Sequence, residues 1–128
     1  MPNNSYKILL VEDEQPMINI IVSKLKQNNF DVVTADTVKE ALDLVDENKK
    51  IDLVWLDHYL KDGQTGLDFL TEYKRRFGKV ESPVFVASNT GSHEKKHDYF
   101  EKGVKNYYVK SNSRLDGIIE DIQQHFSL

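Results

Sequence analysis

Side chains that can bind a cation or take part in phosphoryl transfer follow short apolar segments at four places in this sequence. Glu12 and Asp13 follow the first segment, and Asp57 follows the third. Ser88 stands at the end of the fourth, and Lys110 follows the fifth. A polar residue after any one apolar segment is common, because loops are polar. Carboxylates, a hydroxyl and an ammonium group repeated in this way indicate a chemical site.

These groups are suited to phosphoryl transfer at a bound divalent cation. Mg²⁺ prefers carboxylate oxygens and often completes its coordination shell with water and phosphate oxygens. Without a cation, Glu12, Asp13 and Asp57 repel one another, which should raise the pKa of at least one of them. A cation would relieve that repulsion and hold a phosphoryl group in line with an oxygen of Asp57. Lys110 would neutralise charge on the transferred group, and Ser88 would donate a hydrogen bond to it.

The apolar segments are predicted to be strands of one parallel sheet. They are rich in β-branched and aromatic residues and show little alternation of apolar and polar positions, as strands buried on both faces do. They cover residues 8–11, 32–35, 53–56, 84–87 and 107–109. In such sheets, sites form beyond the carboxyl ends of the strands, where the strand order reverses. The polar side chains are therefore expected along one edge of the sheet.

Segments with helical periodicity lie between the predicted strands. Thr37 and Glu40 have the spacing of a capping box at the start of the second helix. The fourth segment, residues 92–102, is polar on all sides and offers only Tyr99 and Phe100 to a core. The apolar positions at helical spacing elsewhere are Ile18, Ile21, Val22 and Leu25; Val38, Ala41, Leu42 and Val45; Leu67, Leu70 and Phe77; and Leu115, Ile118, Ile119, Ile122 and Phe126. Strands that alternate with helices predict a doubly wound α/β fold with helices on both faces of the sheet.

The composition is typical of one globular domain, which we expect to span residues 1–128. Apolar residues make up 39% of the chain, enough for a single core. No apolar stretch approaches the roughly 18 residues of a membrane span, no basic secretion signal precedes the first strand, and there are no cysteines. We therefore expect a cytoplasmic protein without membrane contact. A net charge of −4 with scattered lysines argues against direct binding to nucleic acid.

The sequence resembles the receiver domain of two-component response regulators, like that of the single-domain chemotaxis regulators, over nearly its whole length. The resemblance rests, in order, on residues 8–14, 57–67, 83–88 and 103–110. It implies a flavodoxin-like three-layer sandwich of (βα)5 topology with the strand order 2-1-3-4-5. It also implies a signalling switch rather than a turnover enzyme, with only self-catalysed phosphotransfer and slow autodephosphorylation.

The resemblance implies a role for each member of the acidic cluster. Asp57 is the phosphoacceptor. Asp13 and Asp57 bind Mg²⁺ directly, and the backbone carbonyl of Tyr59 is a further ligand. Glu12 acts on the metal largely through water.

The resemblance also implies how the phosphorylated state is sensed and passed on. Ser88 is the switch hydroxyl that moves towards the phosphoryl group, Lys110 contacts that group, and Tyr107 is the aromatic residue that turns inward when Ser88 moves. The phosphate comes from a sensor histidine kinase or a histidine phosphotransfer protein. A downstream protein binds the face formed by the fourth helix, the fifth strand and the fifth helix, and the chain is a monomer or a weak dimer.

Several residues near the expected site differ from the family pattern or modulate its chemistry. Ser111 stands where a proline with a cis preceding bond is usual, and a cis bond here would cost about 2.5–4 kcal/mol, so a trans bond is expected. Asn89 replaces a small residue and would narrow access to the acceptor. Tyr59 and Thr90 occupy positions that set the lifetime of the phosphoryl group, and a bulky Tyr59 favours slow hydrolysis. His58 is expected to lean outward along its loop.

Three other functions would also use an α/β fold of this kind. A phosphatase of the haloacid dehalogenase type needs a second aspartate two residues after the nucleophile, where this chain has Tyr59. A flavodoxin-like cofactor binder needs a Ser/Thr/Gly-rich loop after the first strand, where Glu12 and Asp13 would repel an anionic cofactor. A degenerate receiver that serves only as a phosphorylation-independent docking module stays open, because Asn89 and Ser111 depart from the pattern.

Overall fold

The computed structural model describes residues 5–48, 50–89, 92–111 and 114–128. Within these ranges a five-stranded parallel sheet has the order β2-β1-β3-β4-β5. Its strands and helices alternate along the chain as β1 Lys7–Val11, α1 Gln15–Gln27, β2 Asp31–Ala35, α2 Val38–Glu47, β3 Leu53–Leu56, α3 Gly66–Phe77, β4 Val84–Ser88, α4 His93–Glu101, β5 Asn106–Val109 and α5 Leu115–His125. The predicted fold class and strand order are confirmed.

The sheet is covered by helices on both faces, which makes three layers. Alternate residues of a strand face opposite sides, so Leu9 packs in one core cluster with residues of α2, α3 and α4. Leu10 packs in the other cluster with residues of α1 and α5. Both side chains are fully buried, and burial of one leucine contributes roughly 1.5–3 kcal/mol to stability. No helix in the described ranges is both long enough and apolar enough to cross a bilayer.

The register of the strands brings the chemical groups to one edge of the sheet. Val11 pairs with Leu56, so that Glu12 and Asp57 leave neighbouring strands at the same level. The N–H of Asp57 donates to the carbonyl of Val11 at 2.9 Å and fixes this level. On the other side of β4, the N–H of Lys110 donates to the carbonyl of Ser88 at 2.7 Å.

The helix caps differ in detail from the prediction. The Thr37 hydroxyl accepts the Glu40 N–H at 3.1 Å as predicted, but the Glu40 carboxylate accepts the N–H of Asp36 rather than that of Thr37. A complete capping box opens α3 instead, where Thr65 and Asp68 each accept the other's backbone N–H. Because a box spans only four residues, small differences in the entering backbone decide which N–H the acidic side chain reaches.

Two aromatic residues predicted to face the core are partly exposed. Phe77, the last residue of α3, is 37% exposed and carries the Arg76 guanidinium 5.5 Å from its ring centroid. Phe100 is 47% exposed, whereas its neighbour Tyr99 is fully buried. Successive residues on a helix point about 100° apart, so α4 can place only one of the two against the sheet.

Gly66, the first residue of α3, is packed too tightly to carry a side chain. A Cβ atom there would lie 2.6 Å from the Tyr99 hydroxyl and 2.7 Å from the carbonyl oxygen of Asp57. Its N–H also donates to the carbonyl of His58 at 2.7 Å, which holds the start of the helix against the loop after β3. Three parts of the structure therefore meet at this glycine: the loop that begins with Asp57, the start of α3, and the side chain of Tyr99 on α4.

We expect Gly66→Ala to lower the free energy of unfolding by roughly 1–3 kcal/mol, because the added methyl group must displace the backbone or Tyr99. Gly117→Ala in α5 is the matched control, since a Cβ there meets nothing within 4 Å and alanine favours a helix by roughly 1 kcal/mol over glycine. Urea unfolding, followed by far-UV circular dichroism, gives the free energy of unfolding of both variants. A Gly66→Ala chain as stable as the unaltered protein would contradict the close packing.

Candidate functional site

Three carboxylates meet at the carboxyl edge of the sheet. Each of Glu12, Asp13 and Asp57 contributes an oxygen, and these oxygens lie within 4.8 Å of one another. Glu12 is fully buried and Asp57 is 5% exposed, while Asp13 is half-buried. β1 and β3 place this cluster because they are neighbours and end at the same level. The structure therefore brings together the acidic residues that the sequence indicated.

The positively charged side chain of Lys110 faces the acidic cluster. Its Nζ lies 2.8 Å from Oε1 of Glu12 and 3.4 Å from Oδ1 of Asp57, and its side chain is only 12% exposed. Burial alone would lower the pKa of Lys110, but the hydrogen bond to Glu12 and the two negative charges outweigh burial and raise it. The peptide bond between Lys110 and Ser111 is trans, as the absence of proline led us to expect. The trans bond still leaves the lysine within reach of both carboxylates.

Both oxygens of Glu12 are engaged by the protein. Oε1 accepts from Lys110, and Oε2 accepts the backbone N–H groups of Asp13 at 3.2 Å and Glu14 at 3.3 Å. These N–H groups lie just before the first turn of α1, where backbone donors favour a negative charge. Glu12 is thus held in place chiefly as a fixed negative charge, with fewer lone pairs left for a metal than Asp13 or Asp57.

The environment of Asp57 disfavours its ionised form relative to a carboxyl group in water when no cation is bound. Burial, and next to it the charge of Glu12, raise the pKa of Asp57 to about 7. The charge of Lys110 and the N–H of His58, which donates to Oδ1 at 2.8 Å, act in the opposite direction. When all the groups are ionised, three carboxylates against one ammonium group leave two negative charges in excess. Oxygen donors with such an excess fit a hard divalent cation, and Mg²⁺ is the one that keeps open positions for phosphate.

Ser88 and Tyr107 lie next to this cluster on β4 and β5. Ser88 is fully buried, and its side chain is hydrogen-bonded to that of Tyr107. The Tyr107 ring is half-buried and its centroid lies 5.7 Å from that of Tyr99. Burial raises the pKa of Tyr107, so its hydroxyl keeps its proton near neutral pH. The structure thus brings the two residues expected to form a switch into contact.

The expected orientation of His58 is wrong. The residue is 1% exposed, and its Nδ1 lies 2.6 Å from the hydroxyl of Tyr99 on α4. Burial, with a contribution from the charge of Lys95, lowers the pKa of His58 and favours the neutral ring. Burial likewise raises the pKa of Tyr99 well above its ordinary value. The pair was missed because its members are 41 residues apart. The signal in the sequence was that Tyr99 and Phe100 are the two aromatic residues of a helix that is otherwise polar, and of these Tyr99 carries a hydroxyl.

Two of the three residues expected to modulate the site, Tyr59 and Asn89, lie at its rim. Tyr59 is 58% exposed, and its ring meets the His58 ring edge-on with 4.6 Å between the centroids. Asn89 is exposed next to Ser88. Thr90 lies outside the described residues, so its expected role stays a prediction.

Comparison with known proteins identifies a family. The chain matches the family model for the response regulator receiver domain over residues 8–123. It is 28% identical to the two-component response regulator ORR13 of Oryza sativa subsp. japonica over 107 residues, 84% of this chain and 88% of that protein. It is 32% identical to the phosphate regulon transcriptional regulatory protein PhoB of Escherichia coli over 104 residues, 81% of this chain and 44% of that protein. The chain therefore spans less than half of PhoB and most of ORR13.

Solved receiver structures share the fold. The non-phosphorylated HemR receiver domain from Leptospira biflexa superposes with a TM-score of 0.83 at 26% identity, covering 97% of this chain and 96% of that one. The chemotaxis protein CheY4 of Vibrio cholerae superposes with a TM-score of 0.82 at 21% identity, covering 94% and 98%.

We expect Asp57→Asn to stabilise the metal-free protein at pH 8 and to do so much less at pH 5. The folded-state pKa of about 7 lies above the ordinary value of 3.8, so the ionised carboxylate destabilises the fold above pH 7. This penalty fades as the pH falls towards 4 and the group takes up its proton in the folded state. The gain at pH 8 should be roughly 4 kcal/mol, because each unit of difference between the folded and unfolded pKa corresponds to about 1.4 kcal/mol.

The measurement is urea unfolding in the presence of a chelator at both pH values. Asp46→Asn is the matched control, because Asp46 is exposed on α2, away from the cluster. Equal stabilisation by Asp57→Asn at pH 5 and pH 8 would contradict a raised pKa for Asp57.

Proposed function

Because the chain belongs to the response regulator receiver family, we propose that it takes a phosphoryl group onto Asp57 from a phosphohistidine partner and acts as a signalling switch. The partner is a sensor histidine kinase or a histidine phosphotransfer protein. The observation that carries the proposal is the buried Asp57 carboxylate, which shares an edge of the sheet with two further carboxylates and lies 3.4 Å from Lys110.

The reaction exchanges one bond to phosphorus for another. A carboxylate oxygen of Asp57 attacks the phosphorus atom, the P–N bond of the donor breaks, and the departing imidazole nitrogen regains an electron pair. Water later attacks the acyl phosphate, which returns the Asp57 carboxylate and releases inorganic phosphate. Lys110 supplies a positive charge beside the transferred group and limits the build-up of negative charge. No turnover of a separate substrate is required, so the chain works as a switch rather than as an enzyme.

The acidic cluster would hold Mg²⁺ for this reaction. Asp13 and Asp57 would bind the cation directly, with the backbone carbonyl of Tyr59, and Glu12 would act largely through water. The two engaged oxygens of Glu12 support that division of roles. When bound, the cation supplies positive charge that offsets the repulsion among the carboxylates and the phosphoryl group.

Phosphorylation would then bias the face formed by α4, β5 and α5 towards or away from a downstream protein. The Ser88 hydroxyl would donate to a phosphoryl oxygen, and Tyr107, now hydrogen-bonded to Ser88, would follow it. Little apolar surface of α4 is buried, since Tyr99 is its only buried residue in the described part of the chain. An element with so little buried surface shifts at low cost.

The alternative is a degenerate receiver that docks partners without taking phosphate. The exposed Asn89 beside Ser88 favours it, because a side chain of that size can hinder a phosphodonor. The contacts of Lys110 with Glu12 and Asp57 disfavour it, because the lysine reaches both carboxylates although Ser111 follows it in place of proline.

We expect acetyl phosphate with Mg²⁺ to add one phosphoryl group to the chain, measured by intact mass, and a chelator to prevent it. Asp57→Asn should abolish the adduct, since it removes the nucleophilic carboxylate. Asp46→Asn, which changes an exposed carboxylate, should keep it. The absence of an adduct at every donor concentration, and with a phosphorylated histidine phosphotransfer protein, would favour the docking module.

We expect Tyr59→Ala to speed the loss of the phosphoryl group by up to about tenfold, which corresponds to about 1.4 kcal/mol of barrier. The exposed Tyr59 ring lies against His58, next to the acceptor, and its removal opens a path for water. Decay of the phosphorylated mass after removal of the donor gives the rate. Tyr59→Phe keeps the ring and should leave the rate nearly unchanged. If Tyr59→Ala decays no faster than the unaltered chain, the ring does not screen the site.

A further inference from the structure

His58 links Asp57, its neighbour along the chain, with Tyr99 of α4, which lies 41 residues further along. Its backbone N–H donates to Oδ1 of Asp57 at 2.8 Å, and its Nδ1 lies 2.6 Å from the Tyr99 hydroxyl. Both hydrogen bonds are buried. One residue therefore binds the proposed phosphoacceptor through its main chain and α4 through its side chain.

Tyr99 is the main contact between α4 and the core. Tyr99 is fully buried, whereas the other described residues of α4 are exposed or only partly buried. By contrast, α2 buries Val38, Ala41 and Leu42. The attachment of α4 to the core thus depends unusually on one side chain and on what its hydroxyl binds.

Tyr99 also lies where two routes from the acceptor meet. Its hydroxyl contacts His58, and its ring centroid lies 5.7 Å from that of Tyr107, which is hydrogen-bonded to Ser88. Its hydroxyl would also lie 2.6 Å from any Cβ atom at position 66, so the space around it is filled. If His58 or Tyr107 moves, Tyr99 is therefore expected to move as well.

We propose that the buried hydrogen bond between His58 and Tyr99 couples the segment that carries Asp57 to α4, so that α4 responds to the state of Asp57 through Tyr99. The two residues are positioning residues rather than catalytic ones. This coupling rests on the proposed function, since phosphorylation of Asp57 is the change that it transmits. It is separate from the contact between Ser88 and Tyr107.

The physical cause is the change of acceptor for the His58 N–H. Oδ1 of the ionised Asp57 is a charged acceptor, and hydrogen bonds to charged acceptors are about twice as strong as neutral ones. Conversion of the carboxylate into an acyl phosphate removes that charge and moves it to the phosphoryl oxygens. The backbone at His58 then settles into a new position, and its ring carries the Tyr99 hydroxyl with it.

The test is hydrogen exchange of the backbone amides of α4, residues 93–101, with and without phosphorylation by acetyl phosphate. In the unaltered chain we expect phosphorylation to change these exchange rates by about fivefold or more, within the usual range of coupling between sites. Tyr99→Phe keeps the ring but removes the hydroxyl, and should reduce the change at α4 to less than about twofold while Asp57 is phosphorylated to the same extent. An undiminished response of α4 in Tyr99→Phe would overturn the proposal.

Two further variants separate coupling from a general loss of stability. Tyr108→Phe removes the hydroxyl that donates to Asp121 at 2.7 Å, away from α4, and should leave the response of α4 intact. His58→Leu should reduce the response as Tyr99→Phe does. The double variant His58→Leu/Tyr99→Phe should reduce it no further, because both changes remove the same bond. Additive losses would contradict a shared link.

A second arm does not require phosphorylation. Asp57→Asn replaces the carboxylate that accepts the His58 N–H with a neutral amide. At pH 8 this single variant should therefore change hydrogen exchange at α4, and it should do so much less when combined with Tyr99→Phe. If the intact mass shows no adduct, the proposed function fails while this arm still tests the coupling. If the adduct forms and neither arm shows a dependence on Tyr99, the coupling fails and the proposed function stands.

Discussion

Buried negative charge at the end of β1 and β3 is the constraint on which the rest of the structure depends. Two carboxylates that are almost inaccessible to water, Glu12 and Asp57, cost free energy unless other groups compensate them. Lys110 supplies the compensating charge, and it does so from β5, two strands away from β3 in the sheet. Its side chain has to pass the end of β4, and β4 ends with a small residue, Ser88. The strand order, Lys110 and Ser88 together thus allow the buried charge of Glu12 and Asp57 to be compensated.

The fold class and the acidic cluster were predictable because both follow from local patterns, whereas the strand order was implied by the family resemblance. Continuous apolar strands and amphipathic helices alternate along the chain, and a parallel sheet then places the ends of its strands along one edge. The pairing of Val11 with Leu56 was not visible in the sequence, but any doubly wound order that makes β1 and β3 neighbours brings Glu12 and Asp57 together. Asp57 needed no tertiary detail to be recognised as the centre of the site.

The rest depended on tertiary contacts that no local pattern reports. His58 was expected to point outward along the loop that follows the acceptor, yet its ring contacts Tyr99, which lies 41 residues later on α4. Phe77 was assigned to the core by helical spacing, but it stands at the last position of α3, where little of the core remains to cover it. Spacing gives the direction of a side chain around a helix axis. It does not tell how much of the protein covers that side chain, which depends on where along the helix the residue lies.

The contrast between α4 and α2 explains why one hydrogen bond, between His58 and Tyr99, contributes so much to the attachment of α4. Where a helix buries several aliphatic side chains, as α2 does, the loss of one hydrogen bond is a small part of its attachment. α4 has Tyr99 as its buried side chain, and the hydroxyl of that residue has a directional partner in His58. An apolar residue at position 58 would fill the same volume, but it would hold Tyr99 without any directional bond. A helix attached mainly through one hydrogen-bonded hydroxyl therefore takes its position from the segment that binds that hydroxyl, and here that segment begins at Asp57.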